Sequence, residues 1–273
     1  MPTLYVVATP IGNLEDISLR ALRVLREVPL IAAEDTRRTK DLLVTYDIKT
    51  PMTSYHQRNR WTKLDYIMQC LEGGDVALVS DAGMPGVSDP GYELVVAAHA
   101  RGIPVVPIPG ASAITAALVV CGLAAERFTY LGFLPHKAGE RRRVLESVAG
   151  ERGAIVILGT PHRLSASLGD IRLVLGDRRL AVCRELTKIH EEVFRGTVSQ
   201  AIEHFTEPRG EFTIVIDGKH GKDKPQLTEE IEAMLRQMRR EGITAREAIA
   251  RVSVERGLSR RELYRAWLGL RSE

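Results

Sequence analysis

Ser80-Asp81-Ala82-Gly83-Met84-Pro85-Gly86-Val87-Ser88-Asp89-Pro90-Gly91 is the stretch on which the reading of the fold turns. The run before it, Asp75-Val76-Ala77-Leu78-Val79, reads as a buried parallel strand, and Tyr92 to Arg101 after it carries apolar residues at helical spacing. Three glycines and two prolines let the connection turn sharply and approach a ligand closely. Asp81 and Asp89 add acceptors suited to ribose hydroxyls or an amine. In an open α/β sheet, ligands bind beyond the carboxyl ends of the strands, the place this loop occupies. Alone, such a cluster is equally a capped surface turn; the rest of the chain argues for a site.

Outward from this loop, strands and helices alternate. Leu4-Tyr5-Val6-Val7-Ala8 is an apolar strand ending in Thr9-Pro10-Ile11-Gly12-Asn13. Asp16 or Ser18 can cap the next helix, with Leu19, Leu22, Leu25 and Val28 as its stripe. Leu30-Ile31-Ala32-Ala33 ends in Glu34-Asp35-Thr36-Arg37-Arg38, where Asp35 or Thr36 can equally be an N-cap. Met52-Thr53-Ser54-Tyr55 precedes the basic loop His56-Gln57-Arg58-Asn59-Arg60. Pro104-Val105-Val106-Pro107-Ile108 runs into Pro109-Gly110-Ala111-Ser112-Ala113, and the apolar Ile114 to Val120 predicts a buried helix from Ser112 whose free N–H groups face a ligand crevice. The alternation predicts a doubly wound parallel sheet over residues 1–113.

A second α/β domain is expected over 114–218, with a mixed sheet. Its strands are Phe128 to Leu134, Ala154 to Leu158, Leu180 to Cys183, an extended Glu192 to Gly196, and Gly210 to Ile216. Arg141-Arg142-Arg143 reads as the solvated face of a helix. Lys219 to Lys224 is a linker rich in Gly and Lys, and 225–273 is a small helical domain. Its helices are Leu227 to Arg240, one after Gly242-Ile243-Thr244, and one after Gly257-Leu258-Ser259, in a helix-turn-helix-like order.

Composition narrows the function classes. With 44% hydrophobic and 27% charged residues the chain reads as an ordinary globular protein. No apolar run approaches the ~20 residues of a membrane helix, and Met1-Pro2-Thr3 leads straight into a strand, with no secretory or transit signal. Cys70, Cys121 and Cys183 are spaced neither as disulfide partners nor as metal ligands, which suits reduced thiols in the cytoplasm. The net charge of +3 is uneven: from Lys219 onward there are 13 Lys/Arg against 9 Asp/Glu. That basic tail suits a polyanionic partner, and a solvated helical surface explains it almost as well. Aromatic residues are only 5%, so any RNA contact would rest on charge more than on broad stacking platforms.

The chain lacks a G-x-x-x-x-G-K-[ST] loop, a G-x-G-x-x-G turn after the first strand, a G-x-S-x-G elbow and a histidine cluster with metal spacing. What remains is a crevice built from Thr9-Pro10, Glu34 to Arg37, Tyr55-His56, Asp81 to Gly91 and Gly110 to Ala113, suited to a neutral or cationic nucleoside.

Together these segments resemble the tetrapyrrole methylase superfamily and, within it, the ribosomal RNA small subunit methyltransferase I family. The matching stretches are Ala8 to Asp16, Glu34-Asp35-Thr36-Arg37, Ser80 to Gly91, Pro109 to Ala113, Gly132-Phe133-Leu134-Pro135, Arg184-Glu185-Leu186-Thr187-Lys188 and Gly210-Glu211-Phe212. Corrinoid-forming relatives usually carry a Gly-Pro-Gly-Asp type loop after strand one; Thr9-Pro10-Ile11-Gly12-Asn13 favours the RNA branch. The family commonly continues Glu-His-Asn after its first histidine, whereas this chain has Gln57-Arg58-Asn59, so no second histidine carries over. Met84 stands where the family often has Thr.

The resemblance implies a dimeric two-domain enzyme binding S-adenosylmethionine between its domains and methylating the ribose 2′-oxygen of a cytidine in the decoding region of 16S ribosomal RNA. Cofactor contacts are expected at Pro10, Asp81, Gly83, Met84, Val87, Ser112, Ala113, Leu158 and Leu186. Transfer to a ribose hydroxyl needs alignment and a proton acceptor. Glu34 is the first candidate for that base, with Asp35 and His56 behind it, and Arg37 would hold the adjacent phosphate bidentately. The structural alternative is a buried Glu34–Arg37 ion pair that organises the loop. Arg38, Arg58 and Arg60 at the sheet edge and Arg260 and Arg261 in the tail are the candidate RNA contacts. Two rival functions are a tetrapyrrole-type small-molecule methylase and a non-catalytic RNA-binding scaffold.

Overall fold

The structure, a computed structural model, describes residues 1–219, 229–256 and 258–269. Most of the expected linker, the start of the helical tail, Gly257 and the last four residues lie outside the described residues. The chain forms two compact units, Met1–Gly218 and Lys219–Glu273.

Two sheets share the first unit. In the first, β1 (Leu4–Val7), β2 (Leu30–Ala33), β3 (Met52–Ser54), β4 (Val76–Val79) and β5 (Val105–Ile108) are parallel in the order β3-β2-β4-β1-β5. Both faces are buried, so alternate residues of one strand feed different cores and the strands read as unbroken apolar runs. Ala77 and Val79 pack with α1 (Leu19–Glu27) and α2 (Thr36–Thr45). Val76 and Leu78 pack with α3 (Arg60–Gly73) and α4 (Tyr92–Ala100). Ser18, not Asp16, caps α1, and a single 3₁₀ turn, Leu14–Asp16, precedes it.

After β1 the chain leaves toward β2, and after the neighbouring β4 it leaves toward β5. The two exit loops therefore part at a topological switch point, the usual ligand position of such sheets. They are joined there by backbone bonds, Thr9 N to Gly83 O at 2.9 Å and Gly83 N to Thr9 O at 3.0 Å. Gly83 has φ +77°, a turn that a side chain resists.

The second sheet has the order β6-β7-β10-β8-β9, from β6 (Phe128–Phe133), β7 (Ala154–Gly159), β8 (Arg179–Arg184), β9 (Glu192–Thr197) and β10 (Phe212–Ile216). β6 and β7 are parallel and the other pairs antiparallel. α6 (Ala138–Ser147), α7 (Pro161–Leu175) and α8 (Val198–His204) cover one face. α8 is a short helix absent from the sequence reading, fixed by a capping box between Thr197 and Gln200. α5 (Ala113–Val120) lies on the other face.

Two local expectations are corrected. α5 is not a buried helix: only Ala117 is fully covered and Val119 is 81% exposed. Arg141-Arg142-Arg143 is not simply a solvated face. Arg141 is buried and pairs with Asp170 of α7 at 2.6 Å, while Arg142 takes the other carboxylate oxygen at 2.7 Å. Arg141 also donates to the carbonyls of Pro135 and His136, so this pair fixes the turn after β6.

The second unit holds α9 (Glu229–Arg240), α10 (Ala245–Arg256) and α11 (Arg260–Gly269) around Leu235, Ala248, Val252 and Leu263. Thr244 and Ser259 accept from Glu247 N and Glu262 N at the starts of α10 and α11. Among the described residues, no helix is long and apolar enough to cross a membrane.

Candidate active site

The switch point opens into a cleft of about 600 Å³ between the two sheets, a volume typical of a small-molecule site. The first sheet supplies its acidic wall. Glu34 follows β2, and its Oε2 accepts from Asp81 N at 3.2 Å. Asp81 follows β4, and its Oδ1 accepts in return from Asp35 N at 3.0 Å. Each strand-end loop thus holds the other's carboxylate in place. Burial pushes the Glu34 carboxyl above its usual range, against the pull of the Asp81 N–H. Burial, then the charges of Glu34 and Asp81, push Asp89 up to about 6. Three carboxyl groups crowd one wall, and their mutual repulsion favours a cation there.

Of the expected cofactor contacts, Asp81, Gly83, Met84, Val87, Ser112, Ala113, Leu158 and Leu186 all line this cleft. Pro10 does not; it is buried behind the lining, to which its loop contributes Ile11. Ser112 caps α5 by position but makes no side-chain cap bond, so the first N–H groups of that helix are not closed off by their own cap.

The candidate catalytic group separates. Glu34 lines the cleft, whereas Asp35, Arg37 and His56 do not. Asp35 is the N-cap of α2, accepting from Arg37 N at 2.9 Å. Arg37 folds back onto the same carboxylate at 2.7 Å, and this bond holds Asp35 well below the usual carboxylate range. The alternative of a buried Glu34–Arg37 pair is therefore corrected: Arg37 is 89% exposed and its partner is Asp35. His56 accepts at Nδ1 from Arg58 N at 3.2 Å, and its charge would act on Glu34 from the neighbouring loop.

The basic residues divide likewise. Arg38 lines the cleft and pairs with Asp81 Oδ2 at 3.4 Å. Arg58, Arg260 and Arg261 are exposed. Arg60 is mostly buried against Glu93 at 2.8 Å, tying the start of α3 to the start of α4. Of the expected RNA contacts, Arg60 is thus the one whose charge is paired within the fold with only 24% of its side chain exposed.

The second sheet closes the cleft with the Arg184-to-Lys188 segment that the sequence singled out and with Tyr130, which it did not. Tyr130 donates or accepts with Ser88 Oγ at 2.7 Å, a bond from β6 to the loop after β4. The Arg184-to-Lys188 segment reaches the first loop through Asn13 N to Thr187 Oγ1 at 3.0 Å. Glu185 and Thr187 hold left-handed φ of 49° and 67°, costly for residues with side chains. Lys188 stands between Glu185 and Glu211 at 2.9 and 3.0 Å.

Residues 3–202 match the family model described as Tetrapyrrole (Corrin/Porphyrin) Methylases. A protein of Synechocystis named Ribosomal RNA small subunit methyltransferase I is 47% identical, covering all of both chains. One of the same name from Halalkalibacterium halodurans is 45% identical over 96% of this chain and 93% of its own. The chain belongs to the ribosomal RNA small subunit methyltransferase I family of tetrapyrrole methylases. The fold agrees with that membership. Uroporphyrin-III C-methyl transferase from Thermus thermophilus, solved in complex with S-adenyl homocysteine, superposes with a TM-score of 0.59 at 20% identity. The match spans 79% of this chain and 97% of that one.

Proposed function

We propose that this chain is a cytoplasmic S-adenosylmethionine-dependent methyltransferase acting, as a homodimer, on the ribose 2′-oxygen of a cytidine in the decoding region of 16S ribosomal RNA. The observation that carries the reading is the acid-walled cleft at the switch point, in a chain that matches relatives named for small-subunit ribosomal RNA along nearly their whole length.

The residues present fit the cofactor. Glu34, Asp81 and Asp89 supply negative charge for a sulfonium and an amine, and the start of α5 offers N–H groups to a carboxylate. Leu158 and Leu186 give the cleft its apolar surface for adenine. When bound, S-adenosylmethionine supplies an electrophilic methyl group on a cationic sulfur. Glu34 receives the proton of the 2′-hydroxyl as that oxygen attacks, and its raised proton affinity suits the task. Asp81 holds Asp35 and Arg38 around it, and Asp35 in turn holds Arg37 where an RNA phosphate can reach it. Arg38, Arg58, Arg260 and Arg261 supply further charge for RNA. A dimer would cover apolar side chains that α5 leaves in water, Val119 foremost.

Incubation with methyl-labelled S-adenosylmethionine and either small ribosomal subunits, naked 16S RNA or a uroporphyrinogen-type tetrapyrrole tests the class of acceptor. Label in RNA is expected. Transfer to the tetrapyrrole with none to RNA would overturn the reading.

A further inference from the structure

β6 gathers three of the chain's fourteen aromatic side chains, Phe128, Tyr130 and Phe133, onto the cleft. A regular strand could not do this, because residues 130 and 133 differ by an odd number and would face opposite ways. The register of β6 against β7 shifts between Tyr130 and Gly132: Tyr130 pairs with Val156, Gly132 with Ile157 and Phe133 with Leu158. Leu131 is the extra residue, and it packs into the core on the opposite face. The bulge restores Phe133 to the side of Phe128 and Tyr130, as bulges re-aim side chains beside sites. Gly132 makes it possible, with φ +64° and with Ser88 Oγ 3.0 Å from where a Cβ would stand.

Tyr130 packs against the core at its back, but Phe128 and Phe133 are not core. Phe128 and Phe133 are each 46% exposed, whereas Leu186 and Cys183 elsewhere on the lining are buried. Tyr130 is pinned across the cleft by Ser88. Arg163 stands over Phe133, its guanidinium carbon 5.7 Å from the ring centroid, held by the Leu134 carbonyl at 3.1 Å and Thr160 Oγ1 at 3.2 Å. The turn that follows Phe133 is itself held by Arg141, which donates to the Pro135 and His136 carbonyls. An anchored, half-exposed aromatic strip with a fixed cation at its edge matches what an unstacked base and its phosphate require.

From this we infer that the β6 strip, Phe133 with Phe128, is the stacking platform for the target nucleobase of the RNA, with Arg163 serving its phosphate. The inference rests on the proposed action on ribosomal RNA and names the surface that receives it. The covered part of the lining is left for the cofactor, and the open part takes the larger polymer. A base drawn out of its stack and held on Phe133 brings its own ribose toward the acidic wall.

Phe133→Leu keeps an apolar side chain without the flat face, and Phe133→Trp enlarges the face. In the full-length protein, Phe133→Leu is expected to raise KM for the RNA acceptor about tenfold, with the S-adenosylhomocysteine Kd by calorimetry within twofold of the parent. Phe133→Trp should keep the parent KM, and its added tryptophan emission, read as the difference from the parent protein, should be quenched by RNA and not by S-adenosylhomocysteine. Loss of S-adenosylhomocysteine affinity in Phe133→Leu with KM for RNA unchanged would assign the strip to the cofactor's adenine and overturn the inference. Unchanged values for both ligands would overturn it as well. If the parent protein methylates RNA, either result leaves the proposed function standing; if the parent methylates no RNA, both fall together.

Discussion

Asp89 is the residue whose chemistry depends most on its surroundings. In the quoted loop it is one of two aspartates, yet the fold gives it a value near 6 through burial and the charges of Glu34 and Asp81. A fixed positive charge brought among these carboxyls lowers their proton affinity, so protons leave on binding. Near pH 6, S-adenosylmethionine should therefore release more protons than S-adenosylhomocysteine, whose sulfur is neutral. Calorimetry in two buffers of different ionisation enthalpy measures this, and the difference should shrink above about pH 8. Glu34→Gln keeps an acceptor for Asp81 N but cannot take a proton. Single-turnover transfer should fall about 10²-fold or more, with S-adenosylhomocysteine affinity largely kept. Glu34 and Asp81 were legible in the sequence because each lies within two residues of the end of an apolar strand. Asp89 was legible as an acceptor in the loop, but its raised value was not, because that comes from burial beside Glu34 and Asp81. Tyr130 was not legible, because its partner Ser88 lies on another loop far along the chain.

At the scale of elements, the Arg141–Asp170 pair joins α6 to α7 and fixes the turn that follows Phe133. Asp170→Ala leaves a buried guanidinium without its carboxylate, so denaturant unfolding should show a loss of about 3 kcal/mol. An effect within 0.5 kcal/mol would mean that the pair does not hold the turn. The strands of both sheets were readable as apolar runs between turn residues. A run of three arginines reads as solvated, since nothing nearby in sequence reveals Asp170. Likewise Ile114 to Val120 is apolar except for Thr115, and sequence alone does not say that the second sheet covers only the side bearing Ala117. The bulge in β6 was hidden for a related reason: Gly132 carries no alternation signal of its own, and the rings it re-aims lie two residues upstream and one downstream.

Over the whole molecule, one compact unit carries both sheets and the cleft, and a second carries three helices with exposed arginines. If Arg260 and Arg261 each neutralise one phosphate of single-stranded RNA, the double variant Arg260→Gln/Arg261→Gln should reduce the slope of log affinity against log salt by about 1.4. An unchanged slope would remove both residues from the interface. The order of alternating elements made the parallel sheet foreseeable, and the charge imbalance after Lys219 singled out the tail. The central claim concerns one atom, the ribose 2′-oxygen, and alkali tests it directly. A 2′-O-methyl group removes the hydroxyl that attacks the neighbouring phosphate, so alkaline hydrolysis of labelled 16S RNA should leave the label in a single resistant dinucleotide with 2′-O-methylcytidine at its 5′ side. Label released wholly as mononucleotide would place the methyl group on a base and contradict the account.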